Sequence, residues 1–340
     1  MDSITQAALG AAVGEAVLGR KIGNKAPLWG ALLGTVPDLD VFVNPLLDSV
    51  EQLSFHRGPS HSILFALLAA PVVAWLFQRI HRSADVSFGR WSWFAFLCIV
   101  THPLLDTLTN YGTQLFWPFT DYPATWATVG IIDPLYTLPL LGGVVTAMFM
   151  RSPARRLRWN RLGLVLSSAY LLFTMGNKFY VESTFKTALH NQEIPYERMM
   201  TTPTVLNNLL WNGFAENDTA VWVGVYSVLD KDQDIRFRHF SKRLDLVAEN
   251  LNDAPLQKLL WFSQGYFLLE KQGDTLYFND IHVGSRDAFI GEKDSFIFRF
   301  RLQKTNTPEP RIEGFEQITM SLDVDSATWN TFWTRMWGEK

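Results

Sequence analysis

The sequence predicts a mainly α-helical membrane domain, a helical bundle, followed by a soluble α+β domain. Two observations carry this. As far as Lys178 the chain is a series of apolar blocks joined by short basic turns, and beyond it apolar and charged residues alternate as in a water-exposed fold. The averages conceal the contrast, with 48% hydrophobic residues, a net charge of -3 and a mean hydropathy of +0.03. A length of 340 residues suits two domains, and the composition shift sets them at 1–178 and 179–340. The slight negative charge gives no ground for a nucleic-acid partner. A single cysteine, Cys98, excludes an internal disulfide.

Residues 4–19 and 26–36 are Gly/Ala-rich runs, predicted to form a helical hairpin because small residues let helices approach closely. Met1-Asp2-Ser3 has no basic stretch ahead of the first run, so a cleavable signal peptide is not expected. Residues 63–77, 91–108, 131–150 and 162–176 are predicted spans, some shorter than the ~20 residues usual for one. The basic residues sort to one side. Arg20, Lys21 and Lys25 fall in the first turn, Arg79, Arg82 and Arg90 in a later one, and five arginines in 151–161. By contrast, 109–130 has no Lys or Arg and 37–60 has only Arg57. The positive-inside rule sets the basic turns in the cytoplasm. A multi-pass protein of the cytoplasmic (inner) membrane follows, with an extracytoplasmic C-terminal domain. Trp117-Pro118-Phe119, Tyr122 and Trp126 read as an interfacial aromatic belt.

Three strings put ionisable groups where lipid is expected. They are Pro37-Asp38-Leu39-Asp40, His56-Arg57-Gly58-Pro59-Ser60-His61-Ser62 and Thr101-His102-Pro103-Leu104-Leu105-Asp106. Such groups are costly at membrane depth and mark functional sites, and imidazoles with carboxylates are metal ligands. His102 and Asp106, four apart on a predicted helix, project from one face. Alone, such a pair is more often a hydrogen bond between helices; the other two strings, on the same membrane face, favour ligands. Gly58-Pro59 forces a turn that brings His56 toward His61, and Ser60 or Ser62 caps the next helix. Arg57 suits a bidentate anion such as phosphate, with interfacial snorkelling as the plain alternative.

Asp38 and Asp40, read as extended chain, would point the same way. Asp40 is the stronger metal candidate, and Asp38 a second ligand or a carboxylate orienting a histidine; an ordinary capping loop is the alternative for both. Asp2 and Gln6 share a helical face that could line the site. Glu15 is expected to pair with Arg20 or Lys21, and Asp133 to cap a helix. His81, His190, His239 and His282 are expected to stand alone.

Together and in this order, MDSITQAALGAAVGEAVLG, GTVPDLD, FHRGPSHS and THPLLDTLTNYGTQLFWPF resemble the membrane-bound metal-dependent hydrolases of the YdjM-like family, over roughly the first 120 residues. That family is itself similar to the zinc-dependent phospholipase C and single-strand nuclease superfamily. The resemblance implies a ligand core of Asp40, His61, His102 and Asp106, with His56 close by. The chain departs from it at Thr5-Gln6, where many members carry His after the threonine.

In the C-terminal domain, 219–229 and 295–302 read as strands. Residues 266–270 and 275–278 read as a hairpin around Lys271-Gln272-Gly273-Asp274, and 242–251 and 255–263 as short amphipathic helices. No motif there carries recognisable chemistry. The expected function is metal-dependent hydrolysis at the outer membrane–water boundary, with a divalent metal, Zn²⁺ or secondarily Mn²⁺, on Asp40, His61, His102 and Asp106. The expected catalytic groups are Asp38 as general base or outer carboxylate, Arg57 to stabilise developing negative charge, and His56. The expected partners are the lipid bilayer and a phosphoester of a lipid or lipid-linked substrate. Two rivals stand beside this reading. A metal transporter or sensor needs polar residues continuing toward the cytoplasmic side, and a structural membrane anchor needs only that the His and Asp residues pair.

Overall fold

Small residues decide how the chain begins. Helix α1 (Ser3–Ile22) and helix α2 (Lys25–Thr35) turn back on each other about Gly23, whose φ is 59°. Gly10 and Gly14 face Gly30 and Gly34, and a Cβ on Gly10 would run into the Gly30 carbonyl oxygen. A Cβ on Gly34 would lie 2.8 Å from the Gln6 carbonyl oxygen. The expected hairpin is present, and the approach of the two backbones requires glycine. Gly34→Leu is expected to wedge the hairpin open and lower the thermal midpoint in detergent, an overpacking cost of about 1–3 kcal/mol or more.

The computed structural model describes residues 1–285, 296–318 and 326–339. After α2 come a 3₁₀ segment (Pro37–Leu46), α3 (Ser49–Phe55) and a 3₁₀ turn (Pro59–His61). Four longer helices follow: α4 (Ile63–Ile80), α5 (Phe88–Asp106), α6 (Pro134–Phe149) and α7 (Pro153–Asn191). The caps are where the chemistry allows them. Asp2 Oδ1 accepts from the amides of Ile4 and Thr5 at 3.1 and 3.0 Å, Ser62 Oγ from Phe65 at 3.0 Å, and Asp133 Oδ1 from Leu135 at 3.0 Å.

The chain divides into two compact units, the first made of Met1–Leu46, Phe55–Met175 and Val205–Asn207 and the second of Leu47–Ser54, Gly176–Thr204 and the described residues from Asn208 on. In the first, Leu18, Phe77, Trp91, Phe94 and Ile99 form one buried cluster, and Ala12, Leu105, Tyr136 and Leu140 form another. Glu15 is buried and pairs with Arg156 (3.0 Å to Nε, 2.5 Å to Nη2), which also donates to Asn24. This corrects the expected pairing with Arg20 or Lys21, which lie more than a turn beyond Glu15. Among the described residues one helix, α4, is long and apolar enough to cross a membrane, and a second span exists if α2 and the 3₁₀ segment, bent by 41°, count as one. Helix α6 is apolar but has 16 residues. The helices that contain the other predicted spans carry charge: α5 contains Arg90 and Asp106, and α7 begins with a run of arginines.

The second unit is built on two four-stranded antiparallel sheets. Strands β1 (Arg198–Pro203), β2 (Leu210–Glu216), β3 (Ala220–Ser227) and β4 (Phe237–Ser241) form one in sequential order. Strands β5 (Phe267–Gln272), β6 (Thr275–Ser285), β7 (Phe296–Lys304) and β8 (Ile312–Ile318) form the other. The expected hairpin is β5–β6, turning at Gly273 with Gln272 paired to Thr275. The expected strand at 295–302 is β7; Ser295 itself lies outside the described residues. Residues 242–251 form a 3₁₀ segment (Leu244–Asn250), 255–263 form α8 (Ala254–Phe262), and α9 (Ser326–Met336) follows β8. The composition change near Lys178 breaks no helix, since α7 runs through it. Two histidines expected to stand alone have partners. His81 Nε2 accepts from Trp29 Nε1 at 2.9 Å, and His282 Nδ1 lies 2.5 Å from Asp280 Oδ1.

Candidate metal centre

Four segments of the first unit converge on one buried cluster. Helix α5 brings His102 and Asp106 one turn apart, with His102 Nε2 3.5 Å from Asp106 Oδ2. The 3₁₀ turn after Gly58-Pro59 brings His61, whose Nε2 lies 3.6 Å from the same oxygen. The 3₁₀ segment brings Asp38, whose Oδ1 is 3.5 Å from His61 Nε2 and 3.3 Å from His102 Nε2. Helix α1 brings Gln6, whose amide donates to Asp106 Oδ1 at 2.9 Å and to the His102 carbonyl at 3.3 Å. The Met1 amine also donates to Asp106 Oδ1.

The Nε2 atoms of His61 and His102 and Oδ2 of Asp106 are buried and make no hydrogen bond. A buried polar atom left without a partner costs about 1–3 kcal/mol, so three at one point call for a common partner. Ligand atoms of Asp38, His61 and His102 lie within 4.8 Å of one another. Metal bonds of about 2.0–2.2 Å in a tetrahedron set donor-to-donor edges of roughly 3.3–3.6 Å. The distances from each carboxylate oxygen to the two imidazole nitrogens, 3.3 to 3.6 Å, match four of the six edges of such a tetrahedron. Asp38, His61 and His102 form a group that could hold a metal ion, with Asp106 Oδ2 beside both imidazoles.

The outer contacts fix which nitrogen is free. His102 Nδ1 lies 2.6 Å from the Gly34 carbonyl oxygen, which only accepts, so Nδ1 carries a proton and, in the neutral imidazole, Nε2 is the nitrogen with the free lone pair. The same close approach that requires glycine in α2 thus places the carbonyl that orients His102. His61 Nδ1 lies 3.0 Å from Ser60 Oγ, which donates to Asp40 Oδ2 at 3.1 Å. Asp40 also holds His56 Nδ1 at 3.1 Å and the Arg57 amide at 3.2 Å. Arg57 adopts φ 59°, and its buried guanidinium donates to Thr109 at 3.1 Å, lies 3.5 Å from Asp106 Oδ2 and stacks 4.6 Å over Tyr111.

All seven residues singled out in the sequence therefore meet, but two exchange places. Asp38, not Asp40, has its carboxylate among the converging atoms, while Asp40 reaches His61 from the Nδ1 side. The reason is local. The segment is 3₁₀ rather than extended, and at three residues per turn positions two apart diverge instead of sharing a face. Gln6 lines the cluster as its helical face suggested, whereas Asp2 caps α1. Of the two serines, Ser62 caps α4 and Ser60 serves Asp40. Asp40→Asn is expected to weaken metal binding about 10–100-fold, as loss of an outer carboxylate does elsewhere, read by titration with a metal-competing dye.

The profile of the YdjM inner membrane protein family matches residues 1–180 of the 340. YfhP of Bacillus subtilis (strain 168) is 27% identical over 218 residues, which cover 60% of this chain and 62% of that protein. The chain thus matches less than two thirds of that relative's length. Inner membrane protein YbcI of Escherichia coli (strain K12) is 26% identical over 154 residues, 43% of this chain and 87% of that protein. No solved structure matches the chain. The matched residues contain every group of the metal centre, and the chain belongs to the YdjM inner membrane protein family.

Proposed function

We propose that this inner membrane protein is a multi-pass, metal-dependent hydrolase that cleaves a phosphoester of a lipid or lipid-linked substrate at the outer face of the membrane. The observation that carries the reading is the convergence of two unpartnered imidazole nitrogens with two carboxylate oxygens at tetrahedral-edge distances. Asp38, His61, His102 and Asp106 would hold the ion, with Zn²⁺ favoured by the two imidazole donors and Mn²⁺ second. Bound there, a divalent ion would supply a Lewis acid and, with its shell opened to a water beside the protein donors, would acidify that water toward neutrality. Arg57, held by Thr109 and Tyr111 beside Asp106, meets the negative charge that develops on a phosphoryl group. His56 is 28% exposed and held at Nδ1 by Asp40, which suits it to move a proton at the rim; the base role expected of Asp38 passes to it.

The membrane surface is supported by the same segment that supplies the carboxylates. Leu39, Phe42 and Leu46 of the 3₁₀ segment are exposed, as are Phe116, Phe119 and Trp126 of the loop after α5. Apolar and aromatic residues exposed beside a buried polar site suit a rim set in the bilayer interface. The transporter reading fares worse. It needs polar groups leading away from the centre, and Glu15, about 14 Å along α1 from Gln6 by helical rise, is closed into its pair with Arg156. The test is hydrolysis of phosphatidic acid and lipid pyrophosphates by the purified full chain in detergent. Activity lost on chelation and restored by Zn²⁺ or Mn²⁺ is expected; activity indifferent to chelation, or none with either metal on any lipid phosphoester, would remove the proposal.

A further inference from the structure

Helices α1, α2 and α6 do not close on one another completely. Between them lies a slot of about 370 Å³, and of its twelve lining residues Ser3 alone bears a polar side-chain group. Its floor is small, formed by Ala7, Ala8 and Ala11 of α1 with Ala31 of α2, while Val144 and Met148 of α6 form the far wall. The cause is the glycine contact described above. It draws α2 onto one face of α1, and the short methyl groups on the next face pack against part of α6 but leave the space beside it unfilled.

We infer that this slot seats a hydrocarbon chain of a membrane lipid. A slot without polar partners does not hold ordered water. The family membership puts hydrocarbon chains around this unit, and a flexible chain suits a one-sided apolar slot. The slot also leads somewhere. From Ala11 to Ser3 it follows α1 for about 12 Å of helical rise and ends in the turn whose Gln6 donates to Asp106. A lipid lying there with its head toward the start of α1 presents its headgroup within about one helical turn, 5.4 Å, of the groups holding Asp106. That the seated lipid is the substrate rests on the hydrolase reading; the seat itself does not.

The test uses the full chain in vesicles of phosphatidylethanolamine and phosphatidylglycerol containing a phosphatidic acid with a photoactivatable diazirine in its acyl chain. Adducts are mapped by mass spectrometry after irradiation. The outward apolar face of α4, where Leu67 and Leu68 are exposed, serves as the reference for ordinary lipid contact. Adducts on 3–11 and 141–148 are expected at least about fivefold above that reference. Ala7→Trp, or Ala31→Phe from the other wall, is expected to bring them down to it, with bound metal retained. Labelling equal to the α4 face, or unchanged by both fillings, would overturn the seat even if metal-dependent hydrolysis is found. Strong, filling-sensitive labelling of a protein without hydrolase activity would leave the seat standing and remove only the hydrolase reading.

Discussion

His102→Ala is expected to empty the metal centre and abolish hydrolysis together. The substitution removes one of four donors and leaves Asp38 and Asp106 facing each other across a buried space with one imidazole. Loss of an outer contact alone typically costs 10–100-fold in metal affinity, so loss of a donor is expected to exceed about 100-fold. His61→Ala should behave alike, since both nitrogens face the same two oxygens. Elemental analysis of purified variants, with circular dichroism to show that α5 has kept its helix, checks this. Metal held at wild-type stoichiometry in either variant would mean that the ion sits elsewhere.

Arg57→Lys and Arg57→Ala are expected to separate binding of the ion from turnover. Neither removes a metal donor, so bound metal should persist. Turnover should fall by about 10²–10³, the loss found when one preorganised charge-stabilising donor is removed, with Lys recovering little because the planar fork that spans Thr109 and Tyr111 is gone. Loss of metal in Arg57→Lys would instead make the arginine a structural counter-charge for Asp106, which it approaches at 3.5 Å. An unchanged turnover would remove it from the chemistry.

Much of the site was legible in the sequence because its parts obey local rules. The i, i+4 spacing of His102 and Asp106 holds on an α-helix whatever surrounds it, and Gly58-Pro59 makes a turn by backbone chemistry alone. The Gly/Ala spacing of the first two runs likewise announced the α1–α2 hairpin. What was not legible depends on partners far along the chain. Whether Pro37-Asp38-Leu39-Asp40 is extended or 3₁₀ decides which carboxylate faces the imidazole Nε2 atoms, and nothing in those four residues settles it. Glu15 finds its cation 141 positions away, beyond any local pattern. Strand β2 is buried at every position, so it lacks the alternation by which β3 and β7 were recognised. The composition change near Lys178 falls inside one helix, α7, whose geometry it leaves unbroken.

The most direct measurement is X-ray absorption at the metal edge of the purified full chain, with metal content determined on the same sample. The account predicts about one ion per chain, bound by four nitrogen and oxygen donors at about 2.0–2.2 Å, with the outer scattering of two imidazole rings that falls to one in His102→Ala. Protein that stays free of metal when Zn²⁺ and Mn²⁺ are offered, or an ion whose shell holds no imidazole, would contradict it.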